Sequence, residues 1–418
     1  MSDIPAYRTD DIPAATIFAA GAPHAKPAIA IEIADAASLP NLHAAWTDLL
    51  SRADTQNVFM DPSLLAAAAA ADPGGQQHAL LAWKTIEGAR QLVGLWGFAV
   101  GRPRWSVLPI RVLAAPAYSH GYLATPVIDR DHLDETIEAM LDAIAAAREL
   151  PKILALDTLA ADGATHEALM RVLARRGTAP RVFEHMHRPR LASDLDGKAY
   201  LEKAVSSSTR KKLRQYRRRL AEKGAVTSTI VTEPEAIRRA VDWFLDIEAS
   251  GWKGRNGTAL KCNDAEAAFM RGAMAALAER GNAAIHVISV DAKPVSMQIV
   301  ARAGDVAFTW KTAYDESYRD YSPGMLLLED YTAAFLGDRS IAFVDSCSFD
   351  DSGFMSAWTE RRPVANVWID ARRGGSATFR ILSGLQLIYR NVRNTAKGAY
   401  HAWQKSWQKS NWLRPRKR

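Results

Sequence analysis

Two cysteines in 418 residues, Cys262 and Cys347, stand far apart with no CxxC or Cys/His spacing around them. A disulfide scaffold and a structural zinc site are therefore not expected, and a reducing compartment, the cytoplasm, is. No run approaches the roughly 18–20 apolar residues that a spanning helix needs. The N-terminus, MSDIPAYRTDDIP, starts acidic and has no apolar segment of the signal-peptide kind. Acidic residues are missing altogether from 371–418, which hold 12 Arg and Lys. Taking those 12 from the chain's 53 basic residues leaves 41 against 46 acidic side chains, so the body stands at −5 although the whole chain is at +7. A second basic segment, 210–223 (RKKLRQYRRRLAEK), has eight basic residues and one acid. The protein is a slightly acidic body with two basic elements, and only those two need explaining; 210–223 reads as the solvated face of an interdomain helix, with an acidic ligand as the alternative.

With 48% hydrophobic and 24% charged residues, the composition is that of an ordinary globular chain, long enough for two or three domains. The patterns fall into two similar halves. After a mobile leader over 1–28, a strand at 29–33 leads to helices at 42–50 and after Asp61-Pro62. A strand pair at 80–84 and 92–101 follows, then a strand at 110–113, a helix at 132–150, a strand at 152–158, a helix at 166–176 and a strand at 181–186. The second half repeats this order: strand 226–232, helices 235–250 and 264–280, three strands at 285–290, 295–302 and 306–312, and a helix from Pro323 to 336. Strand 341–347, a short helix near 353–359 and strand 364–370 close it. The second half's strand–loop–helix unit, ending in Ser322-Pro323-Gly324, leaves free N–H groups and a positive dipole end where a phosphate can sit.

Four segments carry a resemblance: 208–224 (STRKKLRQYRRRLAEKG), 248–260 (EASGWKGRNGTAL), 314–328 (YDESYRDYSPGMLLL) and 345–362 (DSCSFDDSGFMSAWTERR). In this order they resemble the Gcn5-related N-acetyltransferase (GNAT) fold, in the tandem form of the CelD/BcsL-like, FemAB-related family linked to cellulose and exopolysaccharide synthesis. The resemblance spans 40–370 and is strongest over 200–362. It implies an α/β fold of two tandem GNAT-like domains, each a mixed central sheet flanked by helices, with a C-terminal amphipathic helical tail. The expected divisions are 29–195, a half without a donor site, 196–372, the half with the acyl-donor site, and the tail 373–418.

The implied co-substrate is acetyl-CoA or another acyl-CoA, with no metal, because the thioester is already activated. Trp310 and Thr312 would line the thioester, and Ser322, Gly324, Met325 and Leu326 would offer backbone donors to its phosphates. The loop departs from the family's Q/R-x-x-G-x-G/A pattern, having Gly324 alone. Asp345, at a strand end beside the expected acceptor, is the first candidate for general base, with a strand-end cap as the plain alternative. Tyr314, like Tyr318, is a candidate proton donor to the leaving thiolate or half-buried packing, and Lys311 an oxyanion stabiliser or an exposed strand lysine. Cys347 reads as a small buried side chain rather than a nucleophile. Many relatives carry Tyr-Lys before the tryptophan that matches Trp358; here the pair is Phe354-Met355, so the lysine-dependent mechanism of the Fem enzymes is not carried over.

Trp252, Lys253 and Arg255 suit a sugar or sugar-phosphate acceptor, with Tyr118 and His120 of the first half facing the same cleft. The implied function is acyl transfer to an exopolysaccharide or cell-envelope precursor, a small-molecule or lipid-linked sugar. The alternatives are a Fem-like aminoacyltransferase using aminoacyl-tRNA, the one case in which a nucleic acid enters, and a non-catalytic scaffold of a polysaccharide synthase. In the tail, Ile381, Leu385, Ile388, Val392, Ala396, Ala399, Trp403 and Trp407 keep helical spacing among basic residues. Over 379–418 this suits an anionic membrane surface, at the inner face of the membrane, or a synthase partner; a helix packed along the body is the alternative.

Overall fold

The computed structural model describes residues 16–18, 29–104, 106–348 and 353–412, with backbone alone for 16–18, 40, 353–354 and 396–412. The leader's other residues and the basic end after 412 lie outside the described residues. In the first half, strands β1 (Thr16–Phe18) and β2 (Ala30–Asp35) are followed by helices α1 (His43–Arg52) and α2 (Pro62–Ala71). Asp61 caps α2 by accepting from Ser63 N, and Pro62 occupies the first turn, where its missing N–H costs nothing. Next come the hairpin β3 (Gln77–Ile86) and β4 (Ala89–Gly101), then β5 (Val112–Ala115), β6 (Val127–Ile128), α3 (Leu133–Ala146), β7 (Ile153–Ala160), α4 (Gly163–Arg175) and β8 (Arg181–Leu191).

The second half opens with α5 (Gly197–Ala204) and the basic α6 (Ser207–Ala221), then β9 (Val226–Val231). Helix α7 (Pro234–Ser250) buries Ile237, Ala240, Val241, Phe244, Leu245 and Glu248, one face at three- and four-residue spacing. The single turn α8 (Trp252–Arg255), α9 (Asp264–Ala278), β10 (Ala283–Val290), β11 (Lys293–Ala303) and β12 (Val306–Tyr314) follow. Helix α10 (Pro323–Gly337), β13 (Phe343–Asp345), β14 (Glu360–Asp370) and α11 (Ala377–Trp412) complete the chain. The expected strand over 341–347 is shorter, because Cys347 turns into the left-handed region (φ 54°) and ends the ladder.

All strands join one sheet, in the order β1-β2-β3-β4-β5-β7-β14-β8-β13-β12-β11-β10-β9, with β6 paired to β4. Its centre is exchanged. Strand β14, the last of the second half, lies between β7 and β8, antiparallel to both. Strand β8, the last of the first half, lies between β14 and β13. Each half thus lends its final strand to the other, which no hydrophobic pattern reveals. The two parallel pairs, β5 with β7 and β12 with β13, sit on either side of this exchange. One hydrophobic core runs through both halves: the ring of Phe59 packs edge-on against Phe308 (5.4 Å), Trp310 (5.9 Å) and Tyr122 (5.8 Å). Among the described residues, no helix is long and apolar enough to cross a membrane.

Candidate active site

The parallel pair of each half opens in the same way, and among the described residues only the first half's opening is filled. In the first half, pairing ends at Ala115–Leu156, and two residues on Thr158 turns left-handed (φ 58°). The chain's own segment 122–125 occupies the opening. Thr158 Oγ1 donates to Tyr122 O (2.7 Å), Ala124 N to Thr158 O (3.3 Å), and Ala160 N to Thr125 Oγ1 (2.9 Å). Asn57 holds the segment from behind, its Nδ2 donating to Leu123 O (2.9 Å) and Thr125 O (2.7 Å). In the second half, pairing ends at Phe308–Asp345, and Cys347 is the left-handed residue at the same offset. Past that point β12 continues to Tyr314 with no partner on this side among the described residues. An extended ligand can therefore add to its edge as a strand would.

A bulge shapes that edge. Thr309 and Lys311 face the adjacent residues Val300 and Ile299 of β11, so Trp310 is the extra residue. The buried Gln298 fastens the bulge: its Nε2 donates to Lys311 O (3.0 Å) and Ile299 O (2.9 Å), and its Oε1 accepts from the Thr312 hydroxyl. Trp310 does not line an open cleft, contrary to expectation. Its indole is buried against Phe59 and Phe269, and Nε1 donates to His120 O (2.8 Å), so its side chain joins the two halves.

The loop after β12 differs from expectation too. Residues Glu316–Tyr321 form a 3-10 turn, and Ser322 is left-handed (φ 46°) before Pro323 starts α10. Ser322 N donates to Arg319 O (3.0 Å), while Met325 N and Leu326 N both donate to Ser322 O (2.9 and 3.2 Å). Of the four expected phosphate donors, only the Gly324 N–H stays without a backbone acceptor among the described residues. Helix α6 packs against this turn, with Arg219 Cζ 5.3 Å over the Tyr321 ring. Its Lys211, Lys212, Arg214 and Arg218 are exposed.

Asp345 cannot serve as a general base. It is fully buried at the end of β13, with Arg188 Nη1 of β8 at 3.1 Å and Arg362 Nη1 of β14 at 2.9 Å, and Cys347 N donates to its Oδ1 (2.8 Å). Burial alone would raise its carboxyl, but the two guanidiniums outweigh burial and hold it below the usual carboxylate range. Burial pushes the Cys347 thiol well up, so it is no ready nucleophile.

Lys311 is the group the site leaves available. It is half-buried on the open stretch of β12, and its ammonium makes no ion pair or hydrogen bond among the described residues. Burial lowers it to about 8, against the pull of Glu248 and Glu266 and helped by Lys253. Glu248 is itself engaged: Lys253 Nζ donates to Oε1 (2.7 Å) and Leu260 N to Oε2 (2.9 Å). His120 comes from the first half; its Nε2 lies 3.4 Å from Glu266 Oε2 and its ring stacks on Phe269. Burial, with Lys311, Arg104 and Lys253, lowers His120 to about 3, so it is a neutral imidazole at working pH. Tyr118 donates from its hydroxyl to Phe59 O (3.2 Å) and is a structural tie.

Two recesses are lined by groups that act electrostatically on Lys311, one by Glu266 and the other by Glu248 and Lys253. One of about 630 Å³ lies between the halves, walled by α2, the 117–120 loop and the start of α9. The other, about 50 Å³, is lined by Glu248, Lys253 and Thr312 and rimmed by Trp252 (52% exposed) and Tyr314 (37% exposed). Lys253 and Arg255 are committed to internal partners, whereas the exposed Trp252 indole is free to meet a ligand. Glu316 clasps α8 to the loop, accepting from Trp252 N (2.7 Å) and Arg255 Nη2 (2.7 Å). Gly254 makes the tight α7–α8 corner possible, because a Cβ there would stand 1.8 Å from Ala249 O. Gly254→Ala is expected to lower stability by about 1–3 kcal/mol, read as a shift in the urea midpoint; an unchanged midpoint would show that the corner relaxes freely. No local motif marks Gln298, Glu266, Arg188 or Arg362 in the sequence, since their partners lie on other strands and helices.

Residues 207–346 match the family model of an acetyltransferase (GNAT) domain. No curated protein matches the chain. Among solved structures, the chain is similar to FemX at 12% identity and a TM-score of 0.55, over 81% of this chain and 98% of that one. It is also similar to the C-terminal DUF2156 domain of a protein from Agrobacterium fabrum named as a lysylphosphatidylglycerol synthetase. That match has 12% identity and a TM-score of 0.51, over 84% of this chain and 96% of the other. At such identities the likeness is one of fold. The chain consists of two α/β halves of similar arrangement, and residues 207–346 of the second are similar to a GNAT-type acetyltransferase domain.

Proposed function

We propose that this protein is an acyltransferase that takes an acyl group from a coenzyme A thioester and passes it to an amine or hydroxyl of an acceptor in the cleft between the halves. The carrying observation is the unpaired edge of β12 beside Lys311, in an opening whose first-half counterpart residues 122–125 occupy by bonding to Thr158 and Ala160 on the β7 side. The residues present fit an acyl-CoA unevenly. The β12 edge suits an amide-bearing arm, while the loop offers phosphate the single Gly324 N–H. The exposed cations of α6, packed against that loop, make up the rest of the anion-binding surface.

In this reading the acceptor's nucleophilic atom attacks the thioester carbonyl, the acyl–sulfur bond breaks, and the acceptor's proton passes to neutral Lys311 Nζ. The lysine then returns that proton to the departing thiolate. An ammonium near 8 suits both transfers, because base and acid forms are both populated near neutrality. The Trp252 and Tyr314 rim suits a sugar ring, which favours a saccharide or cell-envelope precursor as acceptor.

Calorimetric titration with acetyl-CoA tests the donor. One site per chain is expected, two would contradict the filled first half, and no heat at millimolar concentration would remove the coenzyme A reading. The basic α6 favours a second reading, an aminoacyl donor carried on tRNA. Activity abolished by ribonuclease and indifferent to coenzyme A would select it.

A further inference from the structure

Helix α11 packs with its polar side inward. Among the described side chains, Phe379, Ser383, Gln386 and Arg390 are buried against the body. Phe379 joins Val112, Ile153, Ala155 and Trp368 on the sheet face, and Arg390 Cζ stands 4.8 Å over the Phe183 ring. The opposite side carries Ile381 (62% exposed), Leu385 (48%), Ile388 (62%) and Val392 (63%). Their spacing of four, three and four residues lines them along one stripe. Single exposed aliphatics are common on protein surfaces, but a continuous row on a helix that buries Ser, Gln and Arg is not. The sequence continues this spacing through Ala396, Ala399, Trp403 and Trp407.

We propose that α11 is an interfacial helix that lays this stripe on an anionic lipid surface. Charge selects the occupant. The helix has no acid, and at helical spacing its Arg380, Lys405 and Lys409 fall beside the stripe, whereas Arg390 is turned inward. Pairing the same stripe of a second copy would bring two acid-free basic flanks together. An anionic surface accepts the aliphatic row in its acyl boundary and the flanking cations at its headgroups. Within this 36-residue helix the stripe from Ile381 to Trp407 gives a contact roughly 40 Å long. The chain then rests on the surface without crossing it.

The test uses the full chain and sedimented vesicles of phosphatidylcholine with or without phosphatidylglycerol. The parent is expected to bind phosphatidylglycerol vesicles, less so at 0.5 M salt, and phosphatidylcholine vesicles weakly. The variant I381S/L385S/I388S/V392S changes exposed positions only, so its thermal unfolding should match the parent's, while its vesicle affinity should fall about tenfold or more. The variant R380Q/K405Q/K409Q should lose about fivefold per cation removed. Equal binding by parent and serine variant would overturn the proposal, as would equal binding to neutral and anionic vesicles. A parent that ignores vesicles but forms a dimer that the serine variant dissolves would assign the stripe to a second copy instead.

Discussion

Replacing Asp345 with asparagine is expected to destabilise the protein by about 3–5 kcal/mol, because it leaves two buried guanidiniums without their carboxylate. Arg188 and Arg362 approach Asp345 at 3.1 and 2.9 Å, and all three side chains are almost wholly excluded from water. Loss of one partner is costly because the others keep their charge and cannot regain solvent. The measurement is chemical unfolding of parent and variant. Destabilisation below about 1 kcal/mol would show that water reaches the arginines. A triple replacement by apolar residues of similar size should recover most of the loss, since the desolvation of all three charges disappears together. The pH dependence has a fixed sign. The folded carboxyl titrates below its unfolded value, so its contribution is complete above about pH 4 and is lost as pH falls through the folded pKa. Acid should therefore loosen the centre of the sheet.

Lys311→Met is expected to reduce acyl transfer by about 10²–10⁴-fold while the fold melts no lower than the parent's. The two readouts separate chemistry from packing. Burial works against the Lys311 charge and gives it no ion pair among the described residues, so the folded state gains nothing from the ammonium. At pH 7 the lysine is charged in folded and unfolded chains, and removing it removes a desolvation cost. With the parent, kcat/KM should rise with pH and level off above about 8, as the neutral amine forms. A flat profile between pH 6 and 9, or K311M activity within threefold of the parent, would take Lys311 out of the chemistry. Lys311→Arg should be inactive as well, because a guanidinium stays charged throughout this range.

The strand–loop–helix unit around β12 and α10 was legible in the sequence because each part is encoded locally. Apolar strands, the turn at Ala303-Gly-Asp305 and Pro323 at the first helical position suffice to place it. The roles within it were not legible. Asp345 reads as a strand-end carboxylate, either a base or a cap on nearby N–H groups; the Cys347 N–H bears out the cap, while the arginines stay out of view, Arg188 being 157 residues away. The Lys311 environment arises from Glu248 on α7, Glu266 on α9 and His120 from the other half, none within reach of a local motif. The expected backbone donors at 322–326 failed for a different reason. The left-handed Ser322 turns its own carbonyl onto Met325 and Leu326, a conformation that Ser-Pro-Gly permits without dictating. In α11 the helical spacing of the apolar row was plain, but periodicity does not say which side a helix turns to its neighbour.

The exchange of final strands bears on how the chain is made. During synthesis residues 29–191 emerge first, yet the place between β7 and β8 stays empty until 360–370 follow. Until then both strands show unpaired edges to whatever is near, and the long loop that must close is paid in entropy before contacts compensate. A nascent chain halted before residue 360 is expected to be cut readily by protease along β7 and β8, and the same strands to resist once β14 is released. The last strand made is thus the one that locks the first half, so neither half reaches its final form ahead of the other.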